Sequence, residues 1–444
     1  MEATIDTTEV RSWKRYGDVE DTGVEWLSKI PAHWEAVRIK YLCQVKRGAS
    51  PRPIDDTKYF DSDGEYAWVR IADVTASDRY LERTTQRLSA LGQSKSVPLE
   101  PGRLFLSIAA TVGKPVITKI KCCIHDGFVY FVGLKQHQEF WYYVFTSGQA
   151  FFGLGKMGTQ LNLNTETIGN ITMPVPPPEE QQAIVAFLDR ETARIDALIG
   201  HKERLIALLE EKRQAVISHA VTRGLAPNAK MKDSGCDIIG MVPTHWRPMK
   251  LKYLFQFAKR QGFPDETVLS VYRDYGVIEK STRDDNHNRT PLDLTSYQLV
   301  EPGDLVINKM KSWQGSLGIS NLRGITSPDY VVYRSTNSEH LPYLHQLLRS
   351  RQMATYYHTI SNGIRNDQWR LEPDKFEQTV LYLPSVDEQQ AIAEFIIETL
   401  SEADVVRSKI HEGIERLEEY RTALISAAVT GQIDVREEVA TSDG

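Results

Sequence analysis

The strongest constraint on this chain is that it says most things twice. Asp21, Gly23, Pro31, His33 and Trp34 recur as Asp233, Gly235, Pro243, His245 and Trp246, each at a shift of 212 positions. Lys40-Tyr41-Leu42 returns at the same shift as Lys252-Tyr253-Leu254. A Glu100-Pro101-Gly102 turn reappears as Glu301-Pro302-Gly303, now 201 apart. Glu180-Gln181-Gln182-Ala183-Ile184 and Phe187 recur as Glu388-Gln389-Gln390-Ala391-Ile392 and Phe395, at a shift of 208. Arg213, Ile217-Ser218 and Ala220-Val221-Thr222 follow at that shift as Arg421, Ile425-Ser426 and Ala428-Val429-Thr430. Ordered agreement of this kind makes the chain two copies of one unit of about 210 residues, with insertions between landmarks.

Each unit has the same internal order. A Pro-x-His-Trp opening leads into roughly 140 residues with short apolar runs, such as 104–110, 122–132 and 330–333, punctuated by Gly and Pro. These predict short strands with a few helices. A proline stop follows, Pro174-Val175-Pro176-Pro177-Pro178 in the first unit and Leu383-Pro384 in the second. A long helix comes next, because proline is tolerated in a first helical turn where its missing N–H has no partner. The helices are expected over 179–223, stopped by Gly224 and Pro227, and over 387–430, stopped by Gly431. Ser385-x-x-Glu388 has capping-box spacing. The expected organisation is a first globule over 1–175, a helix in 176–225, a second globule over 226–383, a helix in 384–432 and an acidic tail over 433–444.

The helices share an apolar stripe. Ile184, Leu188, Ile195, Leu198, Leu209 and Val216 match Ile392, Ile396, Ala403, Val406, Leu417 and Leu424, all at the 208 shift. Steps of 4, 7, 3, 11 and 7 fit a heptad seam. A stripe usually means a helix packed on its own domain. About 44 residues span roughly 65 Å, more than a 140-residue globule covers, so the two helices are expected to pack on each other. Glu210-Glu211-Lys212-Arg213 and residues 415–421 would then be solvated, and Gly413, standing where Leu205 stands in the first helix, would weaken the second helix locally.

Charge is unevenly placed. The net −6 divides into −4 over 1–35, +5 over 36–175, −1 over 176–225, +3 over 226–383 and −9 over 384–444. Both globules are mildly basic, which suits a local phosphate-binding surface; many proteins that never meet DNA carry as much. The acidic helices suit a protein partner. The 41% apolar and 25% charged composition excludes a disordered or fibrous chain. No run of about 18 apolar residues is present to span a bilayer, and the first ten residues are acidic rather than basic-then-apolar. Cys43, Cys122, Cys123 and Cys236 show no paired spacing and read as thiols in a reducing cytoplasm.

Catalytic signatures are missing. No Asn/Asp-Pro-Pro-aromatic methyltransferase motif and no glycine-rich cofactor loop is present. Gly155-Lys156-Met157 and Gly113-Lys114-Pro115 lack the rest of a phosphate loop. Pro264-Asp265 with Glu279-Lys280 departs from nuclease spacing, and the 11 His form no metal cluster. His33 and His245 read as packed, hydrogen-bonded residues rather than general bases.

These residues together resemble the specificity subunit of a type I restriction-modification enzyme. The resemblance rests on two variable globules separated by near-identical long helices, each opened by Pro-x-His-Trp and closed by Pro…Glu-Gln-Gln-Ala-Ile. Asn308-x-Met310-x-x-Trp313-Gln314-Gly315 with Gly324-Ile325-x-Ser327-Pro328-x-Tyr330 adds to it. It implies an α+β fold with two α/β-type target recognition domains and an antiparallel coiled coil, arranged as an internal two-fold pseudo-repeat. Each domain would read one half of a bipartite site in double-stranded DNA, and the helices would set the separation. They would also dock two modification (methyltransferase) subunits, while two restriction subunits would add translocase and nuclease. The chain itself would be non-catalytic and carry no cofactor, S-adenosylmethionine, ATP and Mg belonging to the partners.

Base-edge readers are expected among Arg, Lys, Asn, Gln and Thr on loops, beside glycine that lets backbones approach. The first globule offers Lys46, Arg47 and Arg52, then Lys156, Thr159, Gln160 and Asn162. The second offers Lys259 and Arg260; Arg283, Asn286, Asn288 and Arg289; Lys309, Lys311 and Gln314; and Arg365, Asn366 and Gln368. For any one of them a solvated surface loop is the plainer reading, and Trp313 reads as a scaffold aromatic. Two other classes remain on the residues alone. One is an assembly scaffold whose globules bind proteins; the other is a self-contained restriction or modification enzyme, which would need a cofactor motif of its own.

Overall fold

The computed structural model describes residues 13–154, 163–273, 275–283, 290–336, 338–363 and 369–438. The chain divides into two compact units, Met1–His201 with Glu412–Gly444, and Lys202–His411. Each unit therefore takes one globule, half of one long helix and the opposite half of the other.

The first unit is built on a five-stranded sheet in the order Gln44–Arg47, Phe128–Val132, Leu104–Ser107, Pro115–Thr118, Tyr80–Leu81. A four-stranded sheet packs beside it in the order Gln86–Leu88, Tyr66–Val69, Cys122–Ile124, Val97–Leu99. The second unit repeats the first four positions as Phe255–Phe257, Tyr330–Ser335, Leu305–Asn308, Leu317–Ile319. Its second layer is reduced to the pairs Leu269–Tyr272 with Gly276–Glu279 and Gln298–Val300 with Gly324–Thr326. The apolar stretch expected over 122–132 is two strands, broken at the turn that contains His125 and Asp126.

The ends of each globule are tied in the same register. Glu35–Arg38 pairs antiparallel with Thr172–Val175, placing Glu35 opposite Val175. Arg247–Lys250 pairs with Val380–Leu383, placing Arg247 opposite Leu383. Under the 212 and 208 shifts these are the same residues, so the repeat extends from sequence to strand register.

The long helices run Pro178–Arg223 and Val386–Val429, and the second passes through Gly413 unbroken. Both stop at a left-handed glycine, Gly224 at φ +74° and Gly431 at φ +70°, a conformation that costs other residues more than glycine. A Cβ on Gly431 would lie 2.3 Å from Pro31 Cδ, so the glycine also admits the Pro-x-His-Trp segment.

That segment is a clasp. His33 Nε2 lies 2.8 Å from Glu180 Oε2, and His245 Nε2 lies 2.9 Å from Glu388 Oε2. The Trp246 indole N–H donates to Glu388 Oε1 at 3.2 Å, and the Tyr16 hydroxyl donates to Glu180. The neighbouring glutamine closes a second loop. Gln181 donates to the Pro176 carbonyl at 2.8 Å and accepts from the His137 N–H at 3.0 Å. Gln389 does the same with Pro384 at 3.1 Å and His340 at 3.0 Å. Glu388 is thus committed to the clasp, and only half of the expected capping box forms, the Glu388 N–H reaching Ser385 Oγ at 3.4 Å.

Within the first unit, the last turn of the second helix (Ala428, Val429) shares a core with the first turns of the first helix (Ile184, Leu188). Farther along, Asp196 receives Arg421 at 2.9 Å, so the two segments run antiparallel. The second unit holds the matching pair, Arg213 with Asp404 at 3.4 Å. Arg213 and Arg421 are therefore bridging residues rather than purely solvated ones, although exposed pairs of this kind contribute only about 0.2–1 kcal/mol.

Of the predicted seam, Ile184, Leu188, Ile195, Ile392, Ile396 and Leu424 are buried. Leu209, Val216, Ala403 and Leu417 are half-buried. Leu198 and Val406 are not seam residues: they are 43% and 44% exposed. Ile199 and Ile410 are more buried, one helical turn beyond Ile195 and Val406. A straight helix drifts about 20° per heptad from a 3.5 repeat, which carries the contact from an i+3 to an i+4 position. Near its ends each helix packs on globule as well as helix, so the plainer reading of the stripe holds there. Cys43, Cys122 and Cys123 are buried free thiols, pushed up to about 12, 11 and 12 by burial; Cys236 is only half-buried.

Candidate nucleic-acid interface

In the first unit, strand Gln44–Arg47 is a sheet edge, with Lys46 opposite Tyr130 and Arg47 opposite Val129. The chain then turns tightly against the 124–128 segment. The Gly48 N–H donates to the Phe128 carbonyl at 2.9 Å and the Ala49 N–H to the Ile124 carbonyl at 3.1 Å. A Cβ on Gly48 would lie 2.2 Å from the His125 carbonyl oxygen, so only glycine allows this approach. It delivers Ser50 Oγ to Asp126 at 2.7 Å and the Arg52 guanidinium to the same carboxylate at 3.2 Å. Arg47 donates to the Asp126 carbonyl oxygen.

Arg47 and Arg52 are thus brought together at Asp126, while Lys46 is exposed on the same edge strand, one position before Arg47. The Ser50 hydroxyl, more than any other group, holds the Asp126 carboxyl below its usual range, so it stays charged and keeps the arginines in place. His125, packed 4.4 Å from the Phe128 ring, is pushed down by burial and serves as a neutral wedge under the turn. Lys114 donates to the Thr75 and Ser77 carbonyls at 3.0 and 2.6 Å, a structural tie rather than a phosphate contact.

The second unit gathers a different set. Lys259 is exposed, but Arg260 turns inward, its guanidinium paired with Glu301 and Asp304. Asp304 is only 3% exposed, and a buried carboxylate requires such a partner. Arg260 is therefore a core ion pair and not a base reader. The Arg283 guanidinium lies over the rings of Tyr272 at 5.3 Å and Tyr275 at 4.9 Å. Lys311 and Gln314 are exposed on the loop after strand Leu305–Asn308, while Lys309 is half-buried and shifted down by burial.

Trp313 anchors that loop, its indole N–H donating to the Met310 carbonyl at 3.1 Å. Its ring is 5.8 Å from His358, which stacks on Trp369 at 4.1 Å. This three-ring column was not legible in the sequence, because its members are 45 and 11 residues apart with no shared period. Lys156, Thr159, Gln160 and Asn162, together with Asn286, Asn288, Arg289, Arg365, Asn366 and Gln368, lie outside the described residues.

Among the described residues no group of three or more His, Cys, Asp or Glu side chains could hold a metal ion, and no helix is long and apolar enough to cross a membrane.

Residues 31–207 match the family described as type I restriction modification DNA specificity domain. Along nearly its whole length the chain is similar to the EcoDI specificity subunit of Escherichia coli, at 19% identity over 91% of this chain and 90% of that one. It is also similar to the MjaVIII specificity subunit of Methanocaldococcus jannaschii, at 24% identity over 92% and 95%. A solved chain from work on complex assembly and conformational transition of the type I R-M system shares the fold, with a TM-score of 0.63 at 15% identity, covering 91% of this chain and 99% of that one. With a duplicated sheet-and-clasp unit and opposed halves of two long helices in each unit, the chain is similar along nearly its whole length to type I restriction enzyme specificity subunits, and residues 31–207 match their DNA specificity domain.

Proposed function

We propose that each unit reads one half of a bipartite site in double-stranded DNA, with the cationic loops at one sheet edge of each globule as the reading surface. The observation that carries this reading is that one frame is built twice, to the same strand register, yet presents different side chains on its loops: Lys46, Arg47 and Arg52 in one unit, Lys259, Lys311 and Gln314 in the other. Two readers on a common mount suit two different half-sites, and the side-chain types suit base edges and phosphates. The predicted readers outside the described residues belong to the same proposal.

The long helices fix the gap between half-sites and dock two modification subunits, an arrangement favoured by two equivalent helix faces in one chain. Two restriction subunits complete the complex. In this reading the chain works in the cytoplasm and is non-catalytic. S-adenosylmethionine, ATP and Mg act on the partner subunits.

The test is charge reversal, Lys46→Glu with Arg47→Glu, in the assembled complex. Binding to a duplex carrying the target falls by tenfold or more at moderate salt and the salt slope becomes shallower, while the modification subunits still co-purify. Unchanged affinity across a salt titration removes this edge from the interface.

A further inference from the structure

Most landmarks that the two units share have a visible structural duty. Asp21 and Asp233 accept the N–H of Gly23 and Gly235 at 2.8 and 2.9 Å. His33, His245, Glu180 and Glu388 form the clasp, and Trp34 and Trp246 are buried. The repeated Lys-Tyr-Leu is different. Its leucines pack inward, but Tyr41 is 73% exposed and Tyr253 is 63% exposed. Neither phenol hydroxyl forms a hydrogen bond to another described residue. Each ring is met instead by the ammonium group of its own preceding lysine, Lys40 at 5.4 Å and Lys252 at 5.2 Å. A large aromatic kept in both copies, and left in solvent in both, has no role in holding either unit together.

The charge around it is repeated too. Arg38 stands where Lys250 stands, so each unit reads basic-x-Lys-Tyr. No carboxylate neutralises these cations: among the described residues none of Arg38, Lys40, Lys250 and Lys252 takes part in an ion pair. A neutral amide positions one lysine in each unit. Lys40 donates to Asn170 Oδ1 at 2.9 Å, and Lys250 donates to Gln378 Oε1 at 3.0 Å. Asn170 and Gln378 are equivalent under the 208 shift. Two different lysines therefore reach the same anchor point, each held in place by an uncharged acceptor.

We propose that Arg38, Lys40 and Tyr41 in one unit, and Lys250, Lys252 and Tyr253 in the other, are matched grips on the phosphate backbone of DNA. The proposal rests on the reading of each unit as a half-site reader and adds the contact that both readers share. Half-sites differ in sequence but not in backbone, so a device of the same chemistry in both units suits the part of DNA that does not vary. Two cations and a phenol O–H donor match a phosphodiester, and their charge opposes an acidic protein surface less specifically than it opposes a regular line of phosphates.

The experiment uses the assembled complex with its modification subunits and two labelled duplexes, one with the methylated target and one without. Tyr41→Phe with Tyr253→Phe removes two hydroxyls that the fold does not use; Lys40→Gln with Lys252→Gln removes two charges. The expected result is a loss of about tenfold or more in affinity for the lysine pair, with the same factor on both duplexes. The salt slope becomes shallower by about 0.9 for each phosphate that is no longer neutralised, and the methylated sequence is unchanged. An unaltered salt slope overturns the proposal. So does loss of modification subunits from the variants with normal DNA affinity of the complex that remains, which would make this a protein-docking surface. If the unaltered complex does not distinguish the two duplexes, the half-site reading fails, independently of the grips.

Discussion

Single residues carry this fold where a side chain answers two demands at once. Glu180 and Glu388 each start a long helix, where a carboxylate is favoured by the helix dipole, and each receives a histidine from a segment 147 and 143 residues away. Their repetition made them legible in sequence, and so did the histidines, read as packed and hydrogen-bonded. Arg260 was not legible in the same way. Lys259-Arg260-Gln261-Gly262 has the composition of an exposed basic loop, and nothing local signals that Asp304, 44 residues on, waits to receive the guanidinium.

His345 is a second residue visible only in three dimensions. It is held between the Ile319 backbone and Arg349, its Nε2 2.8 Å from Arg349 Nη1, and burial lowers its pKa from 6.5 to about 4. The unfolded chain therefore binds a proton that the folded chain refuses between those values. Stability is full above about pH 6.5, declines as pH falls, and levels off near pH 4. His345→Gln is expected to flatten this part of the profile, measured as urea midpoints of variant and parent between pH 7 and pH 4.5. A constant offset between the two curves would contradict it.

Among the elements, the long helices were the most legible, because proline starts, glycine stops and a sustained apolar period all agreed to within a residue or two. The seam was less so: a period read on a heptad cannot show where a straight helix drifts by one position. Ile195, 6% exposed, and Leu198, 43% exposed, separate the two accounts. Ile195→Asp buries a charge without a partner and is expected to destabilise the first unit by about 3 kcal/mol or more. Leu198→Asp is expected to change stability by no more than about 0.5 kcal/mol. Chemical unfolding of both variants checks this, and equal losses would restore Leu198 to the seam. The strands were legible only as short runs between turns. Their order depends on pairings such as Cys122–Ile124 with Tyr66–Val69, more than 50 residues apart, for which a single sequence has no marker.

At the scale of the whole molecule, duplication is what connects sequence to function. The shifts of 212 and 208 positions reappear as the same strand register, the same His–Glu pair in each clasp and an equivalent interhelical ion pair, Asp196 with Arg421 and Asp404 with Arg213. Between those fixed points the loops differ, and there the reading surface is proposed. One mount with two sets of side chains predicts a DNA target in two unlike parts with a constant gap. The most direct test is a genome-wide methylation map of cells with and without this chain, its partner subunits present in both. The account predicts that methylation at one bipartite motif, two defined halves around a spacer of fixed length, disappears with the chain. Loss of a single continuous motif, or a map that does not change, would contradict it.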